Sequence, residues 1–163
     1  MDKMIFLRDY RAGDCAEIIR LFYDTVHSVN TADYDEAQLD AWAPRKLDID
    51  DWNNRFLRDY TVVAEKNGRI AGFGSSKSVG YFDMLYVHRA CQRTGIATLI
   101  ADAIEGRFYK SGLPAVTTDA SITAKPFFEK RGYFVCRKQE VERRGQSLTN
   151  YNMKKTLGTG SCI

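Results

Sequence analysis

Polar side chains and a glycine lie between a strand-like run and a helix-like run in the middle of the chain. Residues 79 to 87 are rich in β-branched and aromatic side chains, and apolar residues recur at helical spacing from Ile96 onward, so a strand gives way to a helix. The short connection holds Gln92 and Arg93 and is closed by Gly95. Such a loop can turn successive backbone N–H groups outward, and the first helical turn adds unpaired donors and about half a positive charge. The chemistry predicted here is the binding of an anion such as a phosphate group.

The same connection also has an ordinary interpretation, because glycine-containing loops are common and short motifs give false positives. The functional interpretation is favoured by the spacing Gln92-x-x-Gly95-x-Ala97 directly after Leu85-x-Val87. Here the chain resembles the GNAT superfamily of N-acetyltransferases, whose acetyl-CoA loop reads Gln/Arg-x-x-Gly-x-Gly/Ala. Every position of that pattern is matched.

A second segment supports the resemblance. Residues 120 to 133 read Ala-Ser-Ile-Thr-Ala-Lys-Pro-Phe-Phe-Glu-Lys-Arg-Gly-Tyr, which is similar to the family's other acetyl-CoA segment, Asn-x-x-Ala-x-x-Phe-Tyr-Glu-Lys-x-Gly-Phe. The order and separation of both segments fit, so the resemblance covers roughly residues 60 to 155. Two positions depart from the pattern. Ser121 stands where many members have Asn, and Phe128 stands where many have a Tyr that protonates the departing thiolate.

The resemblance implies acetyl-CoA as co-substrate, with its pyrophosphate on backbone N–H groups of residues 92 to 97. It also implies that the main-chain groups of Leu85 and Val87 pair with the pantetheine arm, as a strand edge pairs with an extended peptide. The residues expected to contact the cofactor are Leu85, Tyr86, Val87, Gln92, Arg93, Thr94, Gly95, Ile96, Ala97, Thr98, Ser121 and Phe128.

Two residues are candidates for handling the proton that the attacking amine must lose. An alkyl amine has a pKa near ~10.4 and an isolated Asp near ~3.9, so either the neutral amine binds or a buried acid relays the proton through water. Asp83 lies on the strand before the loop, where many relatives place a catalytic Glu, and period 2 groups it with Tyr81, Leu85 and Val87. It could equally pair with an Arg or cap a loop. His27 has a pKa suited to proton transfer, although a His near a helix end is more often a surface or capping residue.

Three aromatic residues are candidates for contacting the acceptor. Tyr34 and Trp42 lie in the segment where relatives build the acceptor pocket, and Tyr81 lies on the same predicted strand as Asp83. The stretch from Asp24 to Pro44 resembles a YafP-like branch of the superfamily. Aromatic residues in such a segment are at least as often part of the core.

The elements that must position these residues follow from periodicity and turn signals. Asp14 is the expected N-cap of the first helix, and Asn67-Gly68 is a strong hairpin signal. The predicted strands are 4–8, 61–66, 69–74, 79–87, 115–119, 133–143 and 148–154, and the predicted helices are 14–26, a short one ending before Pro44, 48–57, 96–110 and 122–130.

This order of elements predicts an α+β domain with a mixed sheet. The resemblance implies the GNAT arrangement, a mostly antiparallel sheet of about seven strands with helices on both faces and splayed central strands around CoA. We expect one domain over residues 1–157 and a C-terminal tail over residues 158–163. The final hairpin, if exposed, could pair with a second copy, which is compatible with a homodimer.

Composition excludes several classes of function. The chain has 163 residues with 24 Lys plus Arg against 21 Asp plus Glu, and the basic residues are scattered, which argues against a nucleic-acid partner. The four cysteines form no C-x-x-C pair and no His stands at zinc-like spacing, so we predict no metal and free thiols in a reducing compartment. Neither a signal-peptide pattern nor a membrane-length apolar run is present, so we expect a cytoplasmic protein without a membrane partner.

The sequence therefore predicts an acetyl-CoA-dependent N-acetyltransferase. The expected acceptor is a primary amine of a small molecule or a peptide, and the expected route is direct transfer in a ternary complex. The alternative is a module that binds an acyl-CoA as a sensor or regulatory ligand without turnover, which Phe128 favours because it has no hydroxyl to donate.

Overall fold

Seven strands form one mixed sheet in the computed structural model, which describes residues 4–158. The sheet order is β1-β2-β3-β4-β5-β7-β6, and every neighbouring pair is antiparallel except β4 and β5. The strands are β1 (Ile5–Asp9), β2 (Tyr60–Lys66), β3 (Arg69–Lys77), β4 (Tyr81–Val87), β5 (Ala115–Ser121), β6 (Phe134–Arg143) and β7 (Gln146–Thr156). The helices are α1 (Cys15–Val29), α2 (Glu36–Trp42), α3 (Ile49–Arg58), α4 (Ile96–Lys110) and α5 (Lys125–Lys130). The predicted fold class is confirmed.

Helices cover both faces of the sheet because neighbouring strand residues point to opposite sides. Val62 packs in the cluster that includes α4 and α5, whereas Val63 packs in the cluster that includes α1, α2 and α3. Buried side chains of α4 such as Ile100 and Ile104 belong to the first cluster, and Phe56 of α3 belongs to the second. The sheet therefore separates two hydrophobic cores, and residues of one strand can serve both.

Two glycines of β3 allow α4 to lie close against the sheet. A Cβ atom on Gly74 would lie 2.5 Å from Ile100 Cγ2 and 3.2 Å from the Met84 carbonyl oxygen, and one on Gly72 would lie 2.9 Å from Ile96 Cγ2. Glycine inside a strand often marks such a close approach. The contact fixes the N-terminal half of α4, and with it the loop that leads into this helix.

The parallel pair β4 and β5 separates soon after it begins. Only Tyr81–Thr117 and Phe82–Thr118 are paired, although β4 continues to Val87 and β5 continues to Ser121. Beyond Phe82 the two strands diverge and open a gap in the sheet. This is the splay that the resemblance implied.

The predicted hairpin turn is present, whereas the first residues of two helices differ in part from the prediction. Asn67 and Gly68 form the predicted two-residue hairpin turn, with φ values of 56° and 74°. Asp14 precedes α1 but makes no side-chain capping bond. Asp14 is thus at the predicted N-cap position, but its carboxylate accepts from the Arg11 N–H at 2.8 Å and pairs with Arg8 at 2.8 Å instead of capping α1.

The predicted last helix starts three residues late, at Lys125. Residues before it form a turn in which the Ser121 hydroxyl oxygen accepts from the Ala124 N–H at 3.0 Å. Pro126 then falls in the first helical turn, where the missing N–H costs nothing. Of the predicted tail, residues 159–163 lie outside the described residues.

Over residues 4–158, none of the helices combines the length and the apolar character that crossing a membrane requires. In the same described range, His, Cys, Asp and Glu side chains form no group of three or more that could hold a metal ion. Cys15, Cys91 and Cys136 are free thiols, and Cys162 falls outside the described part of the chain.

Candidate active site

A cleft of about 350 Å³ occupies the gap between the diverging strands. Its walls come from β4, β5, the loop before α4 and the starts of α4 and α5. The predicted cofactor contacts that line it are Leu85, Tyr86, Val87, Gln92, Arg93, Gly95, Ile96, Ala97, Thr98, Ser121 and Phe128. Thr94 does not line the cleft, and its hydroxyl donates to the Cys91 carbonyl oxygen at 2.6 Å.

Seven successive amide groups at the mouth of α4 have no acceptor. Over the described residues 4–158, the N–H groups of residues 92 to 98 donate to no atom of the chain, and the first one satisfied inside the helix is Leu99, which donates to the Gly95 carbonyl oxygen at 3.1 Å. Residues 92 to 95 are exposed. Unpaired backbone donors combined with the positive end of a helix are the features that bind anions in proteins.

The loop holds its shape through a left-handed backbone conformation and side-chain bonds. Gly95 has a φ of 86°, and a Cβ atom there would meet nothing within 4 Å, so the backbone angle rather than space requires glycine. Arg93 also has a positive φ, of 60°. The Gln92 amide group donates to the Val87 carbonyl oxygen at 2.6 Å, and His88 Nδ1 accepts from the Ala90 N–H at 3.0 Å.

The main chain of β4 presents a row of polar groups to the same cleft. The His88 N–H donates to the Ala71 carbonyl oxygen at 2.8 Å, and because main-chain groups of an antiparallel pair alternate in direction, those of Leu85 and Val87 face away from β3. The Val87 carbonyl oxygen already accepts from Gln92 and from the Thr25 hydroxyl at 3.2 Å. Within residues 4–158, the N–H and C=O of Leu85 and the N–H of Val87 have no hydrogen-bond partner.

Asp83 is the extra residue of a β-bulge in β4. Met84 pairs with Ser75 and Phe82 pairs with Ser76, so no residue of β3 stands opposite Asp83. The bulge breaks the period of two. Leu85 belongs to the core on the α4 face, whereas Asp83 contacts α3 on the other face. The prediction that Asp83 shares a face with Leu85 and Val87 was therefore wrong.

The carboxylate of Asp83 forms an ion pair. Arg55 Nη2 of α3 donates to Asp83 Oδ2 at 2.6 Å, and the Asp83 side chain is only 11% exposed. This is the Arg pairing that sequence reasoning left open. Over residues 4–158, Arg55 is the sole partner of this carboxylate, so Oδ1 is left for a water or an amine. Asp83 lines the cleft.

A second cavity, of about 280 Å³, lies beside the cleft. The three residues predicted to contact the acceptor, Tyr34, Trp42 and Tyr81, all line it. The wall common to both cavities consists of Trp42, Asp83, Met84, Tyr86, Asp119 and Ser121. A molecule in the second cavity would therefore adjoin one in the cleft.

Tyr34 joins the second cavity to the turn before α5. Its hydroxyl donates to the Thr149 carbonyl oxygen at 2.6 Å and accepts from the Ile122 N–H at 3.0 Å, and its ring packs edge-on against Trp42 at 5.3 Å. Burial raises the pKa of Tyr34, which keeps the hydroxyl protonated as a donor. Tyr34 thus has both a packing role and a place on the cavity wall.

Sequence reasoning missed Asp119, which ends the predicted strand 115–119. Its carboxylate accepts from the Tyr81 hydroxyl at 2.8 Å, from Gln139 Nε2 at 2.9 Å and from Asn152 Nδ2 at 3.0 Å. Burial raises the pKa of Tyr81, and the Asp119 carboxylate raises it further, so Tyr81 remains a donor to Asp119. The only sequence signal was an acid at the end of a strand.

His27 lies outside both cavities. Its Nε2 is 2.8 Å from the Ala43 carbonyl oxygen, and its ring packs on Tyr23 with centroids 4.2 Å apart. Nδ1 is 3.9 Å from Asp40 Oδ1. The structure therefore does not bring the second candidate for proton transfer to the cleft, and its contacts are those of a residue near a helix end.

Phe128 is a packing residue at the edge of the cleft. It is 3% exposed, and its ring meets Phe82 and Tyr133 edge-on at 5.7 Å and 5.0 Å. Tyr133 does not replace the missing hydroxyl, because its own donates to Glu105 Oε2 at 3.1 Å in the core. Burial raises the pKa of Tyr133, as does the Glu105 carboxylate.

Comparisons with known proteins agree with this geometry. The chain matches a family model described as an acetyltransferase (GNAT) domain over residues 30–156. It is 34% identical over 150 residues to the uncharacterized N-acetyltransferase YafP of Escherichia coli (strain K12), covering 92% of this chain and 95% of that one.

Solved structures give the same result. A GCN5-related N-acetyltransferase from Rhodopseudomonas palustris superposes with a TM-score of 0.91 at 33% identity, covering 96% of this chain and 99% of that one. PaiA N-acetyltransferase from Thermoplasma acidophilum, solved in complex with coenzyme A, superposes with a TM-score of 0.77 at 15% identity, covering 94% of this chain and 99% of that one. At that lower identity the likeness shows the fold alone.

The loop before α4 yields a test with a matched control in the same helix. Saturating acetyl-CoA should raise the Tm of the wild-type protein, since a ligand at a hundred times its Kd adds about 2.7 kcal/mol of stability. We expect Gly95→Val to abolish this rise, because valine does not adopt the φ of 86° that orders the loop amides. Gly106→Val, in open space within α4, should keep the rise. Equal rises in both variants would refute the role of this loop.

Proposed function

Because the chain belongs to the GNAT family of N-acetyltransferases, we propose that it binds acetyl-CoA in the cleft and transfers the acetyl group to a primary amine of a small molecule or peptide. The observation that carries this proposal is the run of unpaired amides at residues 92 to 98 beside a gap between β4 and β5. The second cavity, which shares a wall with the cleft, gives the acceptor a place beside the thioester. The transfer is then direct, within a ternary complex.

The residues of the cleft offer groups for two parts of acetyl-CoA, the pyrophosphate and the pantetheine arm. The pyrophosphate would be bound by the amides of residues 92 to 98, and the Arg93 side chain, which lines the cleft, adds positive charge. The free main-chain groups of Leu85 and Val87 are suited to an extended amide chain such as the pantetheine arm. These groups run along β4 toward Asp83, so the reactive end would reach the wall shared with the second cavity.

Asp83 is the residue that we assign to proton transfer. When bound, the thioester supplies an activated acetyl group whose carbonyl carbon takes the amine nitrogen as the sulfur leaves as thiolate. The gap of about 6.5 pKa units between an alkyl ammonium and a carboxylate costs roughly 9 kcal/mol, so Asp83 does not keep the proton but relays it through water to the solvent. Arg55 donates to Oδ2, and Asp83 lines both cavities, which leaves Oδ1 as the oxygen that we assign to the relay.

The thiolate leaves without help from the position that is Tyr in many relatives. Phe128 has no proton to give, but a thiol pKa near ~8.5 makes thiolate a tolerable leaving group at neutral pH. A missing general acid would cost only about 10²-fold, the low end for such catalysis. Ser121 also lines the cleft, and its hydroxyl oxygen accepts from the Ala124 N–H. Over residues 4–158, the hydrogen of this hydroxyl has no acceptor, so it can donate to a group in the cleft.

Thiol release tests the proposed activity directly. Acetyl-CoA mixed with the protein and a panel of primary amines should release free thiol in an amine-dependent manner, measured with a thiol reagent. The panel should include alkylamines, arylalkylamines and a short peptide. Stabilisation by acetyl-CoA without thiol release from any acceptor would contradict the transferase and support the sensor alternative.

The pH dependence of one variant tests the assignment of Asp83. We expect Asp83→Asn to lower kcat about 10²-fold at pH 7, and the deficit should shrink as the pH approaches the amine pKa, because a larger fraction of the amine is then already neutral. Arg55→Met, which breaks the same ion pair and keeps the carboxylate, is the control for a purely structural role. A deficit for Asp83→Asn that is equal at all pH values, or equal to that of Arg55→Met, would remove Asp83 from the proton path.

A further inference from the structure

Tyr86 of β4 lies on the wall that the cleft shares with the second cavity. It follows Leu85, whose unpaired main-chain groups suit the pantetheine arm, and the proposed function puts the thioester at this shared wall. The Tyr86 side chain packs with the core that includes α1, α2 and α3, whereas Leu85 packs with the core that includes α4. The Tyr86 hydroxyl is therefore carried to the side of the sheet on which the second cavity lies.

The hydrogen of the Tyr86 hydroxyl has no acceptor within residues 4–158. Other tyrosines in this range satisfy theirs, and the hydroxyls that donate to an atom of the chain are those of Tyr10, Tyr34, Tyr81 and Tyr133. The Tyr86 hydroxyl is also not sealed in the core, because the buried side-chain oxygens without a partner in the described range belong to other residues. Polar groups inside proteins are normally paired, so a free donor on a cavity wall points to a ligand.

The ring that carries this hydroxyl is held by three other aromatic rings. Phe22 of α1 meets it edge-on at 4.9 Å, Phe73 of β3 lies 5.6 Å away, and Trp42 of α2 lies 6.4 Å away, all between ring centroids. Aromatic pairs at these distances are stabilising. The hydroxyl therefore has a fixed position before any ligand binds, which is the property that makes a hydrogen-bond donor effective in catalysis.

The Tyr86 hydroxyl keeps its hydrogen during the reaction. Burial raises the pKa of Tyr86 by more than the neighbouring Trp42 side chain lowers it. An ordinary phenol has a pKa near ~10 and a thiol one near ~8.5, so a departing thiolate is too weak a base to take this hydrogen. Tyr86 is therefore suited to stabilise charge through a hydrogen bond rather than to protonate the sulfur.

We propose that the Tyr86 hydroxyl donates a hydrogen bond to the carbonyl oxygen of the bound thioester and stabilises the negative charge that develops on it. This inference rests on the proposed function and adds a catalytic residue to it. As the amine nitrogen bonds to the carbonyl carbon, the π electron pair moves onto the oxygen that Tyr86 holds. The pair returns to the C–O bond when the C–S bond breaks and the sulfur leaves as thiolate. The proton of the amine leaves by the relay assigned to Asp83.

Infrared difference spectra of acetyl-CoA, isotopically labelled at the thioester carbonyl carbon, test this hydrogen bond without any acceptor. A hydrogen bond to a carbonyl oxygen lowers its stretching frequency, so we expect binding to the wild type to lower the frequency and Tyr86→Phe to reverse most of that shift. Tyr109→Phe removes an exposed hydroxyl of α4 that lines neither cavity and should keep the wild-type frequency. An identical frequency in the wild type and Tyr86→Phe would overturn the inference.

Steady-state kinetics with the primary amine that releases thiol fastest give the second readout. We expect Tyr86→Phe to lower kcat about 10²-fold, the low end for the loss of one such donor. The KM values of both substrates should change little, because the hydrogen bond strengthens only as charge develops. Ser121→Ala tests the other hydroxyl on the shared wall. A loss in Ser121→Ala together with a wild-type kcat in Tyr86→Phe would assign the donor to Ser121 and refute the role of Tyr86.

The acetyl-CoA Kd, measured by calorimetry, separates this inference from the proposed function. An unchanged Kd in Tyr86→Phe together with a lowered kcat supports the catalytic role, whereas a kcat equal to that of Tyr109→Phe overturns the inference while acetyl transfer stands. If the carbonyl shift depends on Tyr86 but the wild type acetylates no amine, the proposed function is wrong. The hydrogen bond is then a binding contact, and its catalytic role falls with the transferase.

Discussion

The pairing of β4 with β5 is the constraint on which the rest of the structure depends. It is the only parallel pair in the described sheet, and it lasts for two residues on each strand. Beyond Phe82, β4 remains paired with β3 but no longer with β5. Backbone polar groups on its β5 side, which a continuous sheet would satisfy, therefore face a gap. The N-terminus of α4 opens onto the same gap, so the strand groups and the helix amides face one cleft.

Two further features shape this gap and the second cavity beside it. The close packing of α4 against Gly72 and Gly74 holds the loop amides at one end of the cleft. The bulge at Asp83 changes which face of the sheet the β4 side chains reach. Leu85 therefore faces the core below α4, while Asp83 and Tyr81 face the second cavity. One strand thus presents main-chain groups to the cleft and the side chains of Asp83 and Tyr81 to the second cavity.

Sequence reasoning succeeded where the determinants are local. The strand, loop and helix around Gly95 follow from a period change and one glycine, and nearly all predicted cofactor contacts line the cleft. It failed where contacts join distant segments. Arg55 meets Asp83 across 28 residues of chain, and Gln139 meets Asp119 across 20, and no spacing rule predicts either. The bulge depends on the partner strand, so a period of two assigned Asp83 to the wrong face of the sheet. His27 contacts the Ala43 carbonyl oxygen, a residue 16 positions away, and therefore lies outside the cleft.

Amide hydrogen exchange at residues 92 to 98, with and without saturating coenzyme A, tests the central claim most directly. These N–H groups have no acceptor in the described chain, so they should exchange fast in the free protein. Binding should slow them about tenfold or more as phosphate oxygens accept their hydrogens, while amides inside α4 such as Ile104 change little. If coenzyme A binds and these seven amides exchange as fast as before, the anion is bound elsewhere and the account is wrong.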